Sequence, residues 1–270
     1  MNLFLFGLRT PVYYRYTYRV LRLKIVTDHR GEMDGCSEDT IMESTALLPI
    51  RSTTTHTKAN YNRLACCYDS WSSWEQPYID AAFDLLPLRP THRVLDIGCA
   101  TGQFLARAGQ IVGHDGTVVG FDLSPNMCEI ARKHCRDVPA TVVIQCGDAA
   151  ELLESCTTMF DCIVMTFTLE LFNDHDAKMM LTLAALRLTP EHGRMVVVSM
   201  STAVEKAGCM MCLYNCFRCC CPCVVDCRPI DLQSIVEKVP ELAVVSRRVL
   251  PMYGLAVEIV ELKRSSLNPS

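Results

Sequence analysis

The sequence predicts an α/β fold: a seven-stranded, mostly parallel sheet with helices on both faces and an antiparallel hairpin at its C-terminal end. From residue 93 onward, short apolar segments alternate with segments of helical periodicity. Parallel strands need crossover connections of this length. Residues 196–198 are apolar at every position, which is typical of a strand buried on both sides of a sheet.

The elements follow in a regular order. We expect helices over 61–70 and 74–86, after which Pro87 and Pro90 interrupt the chain. The alternating region then predicts strands at 94–97, 117–121, 141–145, 160–165 and 195–200, and helices at 104–111, 125–135 and 176–188. A last helix at 231–238 precedes strands at 242–250 and 254–262, whose connecting turn is short enough for a hairpin.

The domain organisation follows from where this pattern begins. A chain of 270 residues with 50% hydrophobic content can bury one well-packed domain. We expect that domain over 59–264, with a Cys-rich lid insertion at 203–230. Residues 1–58 form an N-terminal extension that we expect to be disordered or targeting. Its first 27 residues are rich in Arg and contain no acid, as in mitochondrial presequences, so we expect a cytoplasmic or mitochondrial protein.

Composition narrows the classes of partner. The formal net charge of −4 gives no indication of a nucleic-acid partner, because phosphate binding needs clustered Lys and Arg. No apolar run reaches the roughly 18–20 residues that span a bilayer. The 17 cysteines occur in a chain too long and too rich in apolar residues for a secreted disulfide scaffold. We therefore interpret most of them as reduced thiols in an intracellular protein.

A turn of small residues follows the first predicted strand. Gly98, Ala100 and Gly102 allow a tight bend and let a ligand approach the main chain. A dinucleotide-binding turn brings a pyrophosphate onto a helix N-terminus. Here Asp96 adds a carboxylate, which would repel a pyrophosphate and suits a ligand with an ammonium group. The turn thus disfavours a nicotinamide-dependent oxidoreductase and favours S-adenosylmethionine (SAM), which carries an ammonium group and a sulfonium.

Two further carboxylates follow predicted strands. Asp122 lies 20 residues after Gly102, at the end of the second strand, where a carboxylate can accept both ribose hydroxyl hydrogens. Asp148 follows the third strand and could meet the amino group of an adenine. Together with the turn, they supply a partner for each part of an adenosyl amino acid.

These three elements resemble motifs I, post-I and II of class I SAM-dependent methyltransferases, and the resemblance spans residues 60–262. It implies a Rossmann-like sandwich with SAM as cofactor. The implied contacts are Asp96, Gly98, Cys99, Ala100 and Gly102 at the methionine end, Asp122 at the ribose, Leu123, Asp148 and Ala149 at the adenine, and Thr166 at the strand end that faces the methyl group. Ala100 departs from the family, in which many members have Gly.

A helical motif narrows the range of candidate methyl acceptors. Residues 61–69, which fit Y-x-x-x-A-x-x-Y-D, resemble methyltransferases of the ubiquinone/menaquinone-biosynthesis and related lipid-methylating group, as do 225–230 and 253–260. Tyr61 and Tyr68 could equally be packing residues, since they share one helix face. An apolar insertion suits an apolar acceptor. We therefore expect methyl transfer to a small molecule such as a quinone precursor, phenol or lipid; the alternative is a catalytically inactive binding or scaffold protein.

Residues after the fourth strand could act as a base. Methyl transfer needs a base only if the acceptor must first lose a proton. The candidates are Glu170, Asp174 and His175, although each could instead be an exposed loop residue. No N/D-P-P-Y/F motif follows this strand, which disfavours a nucleic-acid methyltransferase.

Eight cysteines crowd residues 209–227. The two C-x-x-C pairs lie too close together for a usual zinc ribbon, so we predict no metal site. The cysteines could pack as small hydrophobes, carry S-palmitoyl groups that support peripheral membrane contact, or bind a metal or trivalent arsenic.

Overall fold

A seven-stranded sheet forms the centre of the fold. The computed structural model describes residues 54–202, 208–220 and 226–265. The strands are β1 (Arg93–Ile97), β2 (Thr117–Asp122), β3 (Thr141–Cys146), β4 (Cys162–Thr166), β5 (Arg194–Ser201), β6 (Leu242–Met252) and β7 (Leu255–Arg264). Their order in the sheet is β3-β2-β1-β4-β5-β7-β6. The pairings from β3 to β5 are parallel, and β7 is antiparallel to both β5 and β6. This architecture confirms the predicted fold.

Helices connect the strands. They are α1 (Thr54–Leu64), α2 (Tyr68–Trp71), α3 (Gln76–Leu85), α4 (Gln103–Val112), α5 (Pro125–His134), α6 (Ala149–Ser155), α7 (Asp174–Leu186), α8 (Gly208–Cys220) and α9 (Leu232–Val236). Short 3-10 turns occupy Ser72–Glu75 and Leu169–Leu171. None of the described helices is long and apolar enough to cross a membrane.

Two apolar clusters divide the core between the faces of the sheet. One packs residues of α6, α7 and α9 against the sheet, including Met180, Leu181 and Ile235. The other packs residues of α3 and α4, including Phe83 and Phe104, whose rings stack at 4.4 Å. The central strands are buried from both sides, which explains their continuous apolar sequences.

Register brings the functional end of the sheet together. Asp96 of β1 lies opposite Gly120 of β2 and Val164 of β4. The carboxyl ends of these three parallel strands therefore meet at one edge, where the chain order reverses. Open α/β sheets bind ligands at such a switch point.

The N-terminal part differs from the sequence prediction. Helix α1 begins at Thr54, inside the segment expected to be an extension, and the helix expected over 61–70 stops at Leu64. The thiols of Cys66 and Cys67 donate to the carbonyls of Arg63 and Leu64, at 3.9 and 3.4 Å, and so satisfy backbone acceptors at the helix end. Residues 1–53, on which the targeting expectation rests, lie outside the described part of the chain.

The Cys-rich insertion also differs from expectation. Helix α8 occupies 208–220, where no helix was predicted, because the sequence contains neither a cap nor a clear polar face. Met211 and Tyr214 pack toward the second core cluster. Residues 203–207 and 221–225 of the insertion lie outside the description.

Candidate active site at the ends of β1, β2 and β4

The turn after β1 is held by the end of β2. The amides of Gly98 and Cys99 both donate to the carbonyl of Phe121, at 2.8 and 3.0 Å. Gly98 and Ala100 adopt positive φ angles of 80° and 45°. A left-handed conformation costs a residue with a Cβ about 1–2 kcal/mol, which explains why many family members have Gly where this chain has Ala100.

Glycine is required twice in this turn, for different reasons. A Cβ on Gly98 would lie 2.3 Å from Oγ1 of Thr168, in the loop after β4. A Cβ on Gly102 would lie 2.9 Å from Cα of Ala131 in α5. Gly102 lines neither of the two cavities described below. Its role as a cofactor contact stays a prediction, whereas the close approach of α5 explains why the residue is small.

Asp122 ties the end of β2 to the turn. Its Oδ2 accepts from the amide of Ala100 at 2.9 Å, and its Oδ1 accepts from the amide of Ser124 at 2.8 Å. Burial raises the pKa of this carboxyl to about 6, and the two backbone hydrogen bonds oppose that rise. Each oxygen has further acceptor capacity, so the carboxylate can still bind hydroxyl groups of a ligand.

Asp96 lies beneath the turn and is 1% exposed. No hydrogen bond reaches its Oδ1 within the described residues. Burial, together with the charge of Asp122, raises the pKa of this carboxyl to about 8. A buried carboxyl group without a partner is costly, so this atom marks a place where a ligand donor would be stabilised.

A solvent-open cleft of about 1040 Å³ lies above Asp122. Seven of the ten residues predicted to bind cofactor line it: Gly98, Ala100, Asp122, Leu123, Asp148, Ala149 and Thr166. Asp148 also caps α6, since its Oδ1 accepts from the amide of Ala150 at 2.9 Å. Its Oδ2 takes no part in this cap and can accept a hydrogen bond from an adenine amino group.

A smaller cleft, with an empty volume of about 490 Å³ that includes open solvent, borders the same turn. Asp96 and Cys99, which do not line the larger cleft, line this one. Four residues line both spaces: Tyr68, Gly98, Ala100 and Thr166. The two spaces therefore meet at the turn, and an elongated ligand with a nucleoside at one end and an amino acid at the other fits this arrangement.

The aromatic wall after β4 was not predicted. Phe167 adopts a positive φ of 51° and lines the larger cleft. Trp74 and Tyr78 pack edge-on against its ring, with centroids 5.3 and 6.0 Å away. These contacts hold Phe167 in a conformation that costs an ordinary residue energy. Its position after a strand gave no signal for this geometry in the sequence.

Tyr61 and Tyr68 pack against each other at the edge of the larger cleft. Their ring centroids lie 6.2 Å apart, and both side chains line the larger cleft. The hydroxyl of Tyr61 is hydrogen-bonded to Sγ of Cys227 at 3.6 Å. This contact joins α1 to the segment that follows the Cys-rich insertion.

The predicted base residues lie away from both cavities. Glu170 is fully buried, and its Oε1 accepts from the amide of Met200, so it joins the loop after β4 to β5. His175 is exposed at the start of α7. Asp174 pairs with Arg228, a buried guanidinium that also donates to the carbonyl of Phe172 at 3.0 Å. None of these three residues lines either cavity, and their role as a base stays a prediction.

One carboxylate of this region does line the larger cleft. Asp176 lies in the first turn of α7, and its Oδ2 accepts from Nδ2 of Asn173 at 2.7 Å. Asp176 was not proposed from the sequence, because it falls inside the predicted amphipathic helix, where acids are ordinarily solvated.

Known proteins share both the sequence of this region and its fold. Residues 94–191 match the family model described as a methyltransferase domain. This part of the chain is therefore similar in sequence to methyltransferase domains. Its fold resembles magnesium protoporphyrin IX methyltransferase from Synechocystis PCC 6803 with bound SAH, with a TM-score of 0.60 and 15% identity over 78% of this chain and 99% of that one.

Curated relatives of this methyltransferase domain differ in acceptor. The ubiquinone/menaquinone biosynthesis C-methyltransferase of Teredinibacter turnerae is 33% identical over 130 residues, which is 46% of this chain and 51% of that enzyme. The ribosomal RNA large subunit methyltransferase E of Desulfatibacillum aliphaticivorans is 46% identical over 67 residues, 25% of this chain and 28% of that enzyme. The chain thus spans about half the length of the first relative and less of the second.

Proposed function

We propose that this protein transfers a methyl group from SAM to a small, apolar acceptor. The observation that carries the proposal is the Asp122 carboxylate, fixed by two backbone amides beside a left-handed turn where two cavities meet. The larger cleft suits the adenosine part, with Asp122 at the ribose hydroxyls and Asp148 at the adenine. The smaller cavity suits the amino-acid part.

The contribution of this chain to the reaction is to align the acceptor with the methyl group and to exclude water. SAM, when bound, supplies a methyl carbon already activated by its sulfonium, so in-line displacement needs alignment more than acid–base chemistry. The residues shared by both cavities would surround the sulfonium. Tyr68 and Thr166 would therefore lie nearest to the reacting carbon, and Tyr61 and Phe167 would shield it from solvent.

The walls of the larger cleft support an apolar acceptor. Beyond the proposed adenosine contacts, the lining includes Phe167, Leu171, Phe172 and Tyr61, together with a few polar residues such as Lys58, Asn173 and Asp176. Binding sites of this composition recognise apolar ligands through a few oriented polar groups. A quinone precursor, a phenol or a lipid-like molecule fits this description.

Replacing Asp122 tests the cofactor assignment. We expect Asp122→Ala to lower SAM affinity at least about 100-fold, because the ribose hydroxyls lose their charged acceptor and Ala100 loses its restraint. Isothermal calorimetry measures this. Asp84→Ala, which removes an exposed acid from α3, is the matched control and should bind SAM as the wild type does. Near-normal affinity in Asp122→Ala would argue against the assignment.

Turnover tests the reaction itself. Wild-type protein incubated with SAM and a panel of quinols, phenols and lipids should form S-adenosylhomocysteine (SAH) faster with one acceptor than without any. Mass spectrometry of the acceptor should show a gain of one methyl group. SAM binding without such stimulation by any acceptor would favour a scaffold role over catalysis.

We propose, in addition, that α8 contacts a membrane surface peripherally. Its outward side is a continuous apolar stripe of Cys212, Leu213, Cys216, Phe217 and Cys220, and Leu213 is 54% exposed. Tyr214, on the opposite side, packs toward the core, and its hydroxyl donates to the carbonyl of Cys227 at 3.2 Å. Such a stripe suits insertion among lipid headgroups, and its exposed thiols could carry acyl chains.

Vesicle sedimentation tests this contact. We expect the double variant Leu213→Ser/Phe217→Ser to bind phosphatidylcholine–phosphatidylserine vesicles at least about fivefold more weakly than the wild type, because burial of the two side chains is lost. Val249→Ser on β6 removes an equally exposed apolar side chain elsewhere and serves as the control. Equal vesicle binding by all three proteins would contradict a role for α8.

A further inference from the structure

A buried arginine supports part of the lining of the larger cleft through its backbone. Arg228 follows the Cys-rich insertion, is 5% exposed and lines neither cavity. Its Nε and Nη2 both donate to the carbonyl of Phe172, at 3.3 and 3.0 Å, and its amide donates to the carbonyl of Glu170 at 3.4 Å. Phe172 lines the larger cleft together with its neighbours Leu171 and Asn173. Arg228 thus holds the backbone of these lining residues at two points.

The supported segment, residues 171–173, lies at a junction between two regular elements. Phe172 follows the 3-10 turn Leu169–Leu171 and precedes Asn173, which caps α7. A carbonyl at such a junction has no partner in a helical ladder, so another group must satisfy it. The guanidinium donates from two atoms of one rigid plane, which restrains the direction of the carbonyl as well as its distance.

Arg228 is itself fixed to the sheet. Two residues further on, the amide of Ile230 donates to the carbonyl of Met200 in β5 at 3.0 Å, and the amide of Thr202 donates to the carbonyl of Ile230 at 3.1 Å. The guanidinium also pairs with Asp174, in the first turn of α7. Arg228 therefore connects the end of β5 to the segment 171–173 and to the helix that follows it.

The preceding residue contacts a second lining residue of the cleft. Sγ of Cys227 is hydrogen-bonded to the hydroxyl of Tyr61 at 3.6 Å, and Tyr61 lines the larger cleft. Neither Tyr61 nor Phe172 belongs to the cofactor contacts that the sequence predicts. Residues 227 and 228 thus contact two parts of the cleft that are left for another ligand.

We propose that Arg228 is a positioning residue for the methyl acceptor, because it fixes the segment 171–173 against which an apolar acceptor packs. This inference rests on the proposed function, since it assigns that segment to the acceptor. Arg228 acts through the backbone of Phe172 and lines neither cavity itself. Its loss should therefore weaken acceptor binding and leave cofactor binding unchanged.

Two ligands measure these two effects separately. SAH reports on the cofactor site, and 2-naphthol, an apolar phenol, is the acceptor probe. We expect Arg228→Lys, which keeps the charge but loses the planar pair of donors, to weaken 2-naphthol binding to the SAH-loaded protein at least about fivefold and to leave SAH binding within twofold. Arg228→Met removes every donor and should weaken 2-naphthol binding further. Calorimetry with SAH and equilibrium dialysis with 2-naphthol, both on the full chain, measure the affinities.

Turnover adds a readout that a loss of folded protein would not change. With the acceptor of the panel that is methylated fastest, Arg228→Lys should raise the acceptor KM by about the same factor as it weakens 2-naphthol binding. Its kcat at saturating acceptor should stay within about threefold of the wild type. A smaller folded fraction would instead lower the apparent kcat and leave KM as it is.

Two control variants keep the outcome interpretable. Arg187→Lys is matched, because the guanidinium of Arg187 also donates to two backbone carbonyls, those of Leu153 at 3.1 Å and Glu154 at 3.5 Å. None of these three residues lines either cavity, so this variant should alter neither affinity. Phe172→Ala removes a side chain of the supported segment and should weaken 2-naphthol binding if the probe packs there.

Several results would overturn the inference. Unchanged 2-naphthol affinity in Arg228→Lys and Arg228→Met would show that residues 171–173 keep their place without the guanidinium, and the lysine variant alone decides if the methionine variant does not fold. A parallel loss for SAH and 2-naphthol would show a general structural role.

The proposed function can fail separately. If SAH-loaded wild type did not bind 2-naphthol, or if Phe172→Ala bound it as the wild type does, the assignment of this segment to an apolar acceptor would fail together with the inference. Absence of SAH binding by the wild type would contradict the cofactor site itself. When the wild type binds both ligands and only the Arg228 variants behave as the wild type does, the inference alone fails.

Discussion

At the scale of single residues, the raised pKa of Asp96 links folding to pH. The unfolded chain releases this proton near the ordinary value for Asp, about 3.9. The folded chain retains it to about 8, because of burial and the charge of Asp122. Between these values the folded state binds more protons, so the free energy of unfolding decreases as pH rises from about 4 to 8. Asp122 and Glu75, whose pKa values are also raised, act in the same direction.

Asp96→Asn should remove one part of this dependence. The amide is neutral at every pH, so we expect the loss of melting temperature between pH 5 and pH 8 to be smaller than in the wild type by at least about 3 °C, since 1 kcal/mol corresponds to about 2–4 °C in a domain of this size. Thermal unfolding without ligand at the two pH values measures it. The same change at exposed Asp84 should leave the difference as it is in the wild type, and an unaltered difference in Asp96→Asn would contradict the linkage.

Residues that line the cavities were predictable from the sequence where a motif contained them. Asp96 lies in the first predicted strand, Asp122 and Asp148 follow the second and third, and the structure places all three beside the cavities. Glu75 and Phe167 carried no such signal. Glu75 is surrounded by residues typical of a helix start, and its burial arises only from contacts between distant parts of the chain, which a local pattern cannot encode.

At the level of secondary-structure elements, the turn between β1 and α4 contains two small residues, Gly102 and Ala100. Adding a Cβ at one and removing it at the other should affect stability differently. Gly102→Ala adds a Cβ at a φ of 80° and 2.9 Å from the backbone of Ala131. We expect it to lower the free energy of unfolding by at least about 2 kcal/mol, through backbone strain and overpacking together. Ala100→Gly removes a Cβ at a φ of 45° and should stay within about 1 kcal/mol of the wild type, because relief of strain offsets added chain entropy.

Urea unfolding of the two variants measures the difference between these positions. The two substitutions exchange glycine and alanine in opposite directions at two positions of one turn. Equal stabilities would mean that α5 moves away from Gly102 at little cost, and the role assigned to this glycine in helix packing would have to be abandoned.

Helix prediction succeeded where capping and periodicity agreed. Ser124 was expected to cap the helix after β2, and its hydroxyl accepts from the amide of Met127 at 3.2 Å, as predicted. Helix α6 was missed, although Asp148 caps it and Glu151 lies three residues later. Asp148 was interpreted only as a ligand-binding carboxylate, so the helix that it caps was not predicted.

At the scale of the whole molecule, the seven strands and the C-terminal hairpin were predictable, but their order was not. Alternation of strand and helix requires parallel pairing, and the short turn between the last two strands requires an antiparallel pair. The insertion of β7 between β5 and β6 depends on tertiary packing. Glu258, buried on β7, accepts from Ser201 of β5 at 2.7 Å and pairs with Arg247 of β6, so one side chain joins three strands.

The carbonyl of Phe121 accepts two hydrogen bonds from the bend after β1, and this affects the rate of ligand binding. Because two consecutive amides are anchored there and Asp122 restrains a third, the bend is fixed by hydrogen bonds within the chain before any nucleoside arrives. Little conformational entropy remains to be lost at this point on association, so capture should be limited by diffusion into the crevice rather than by rearrangement of the loop.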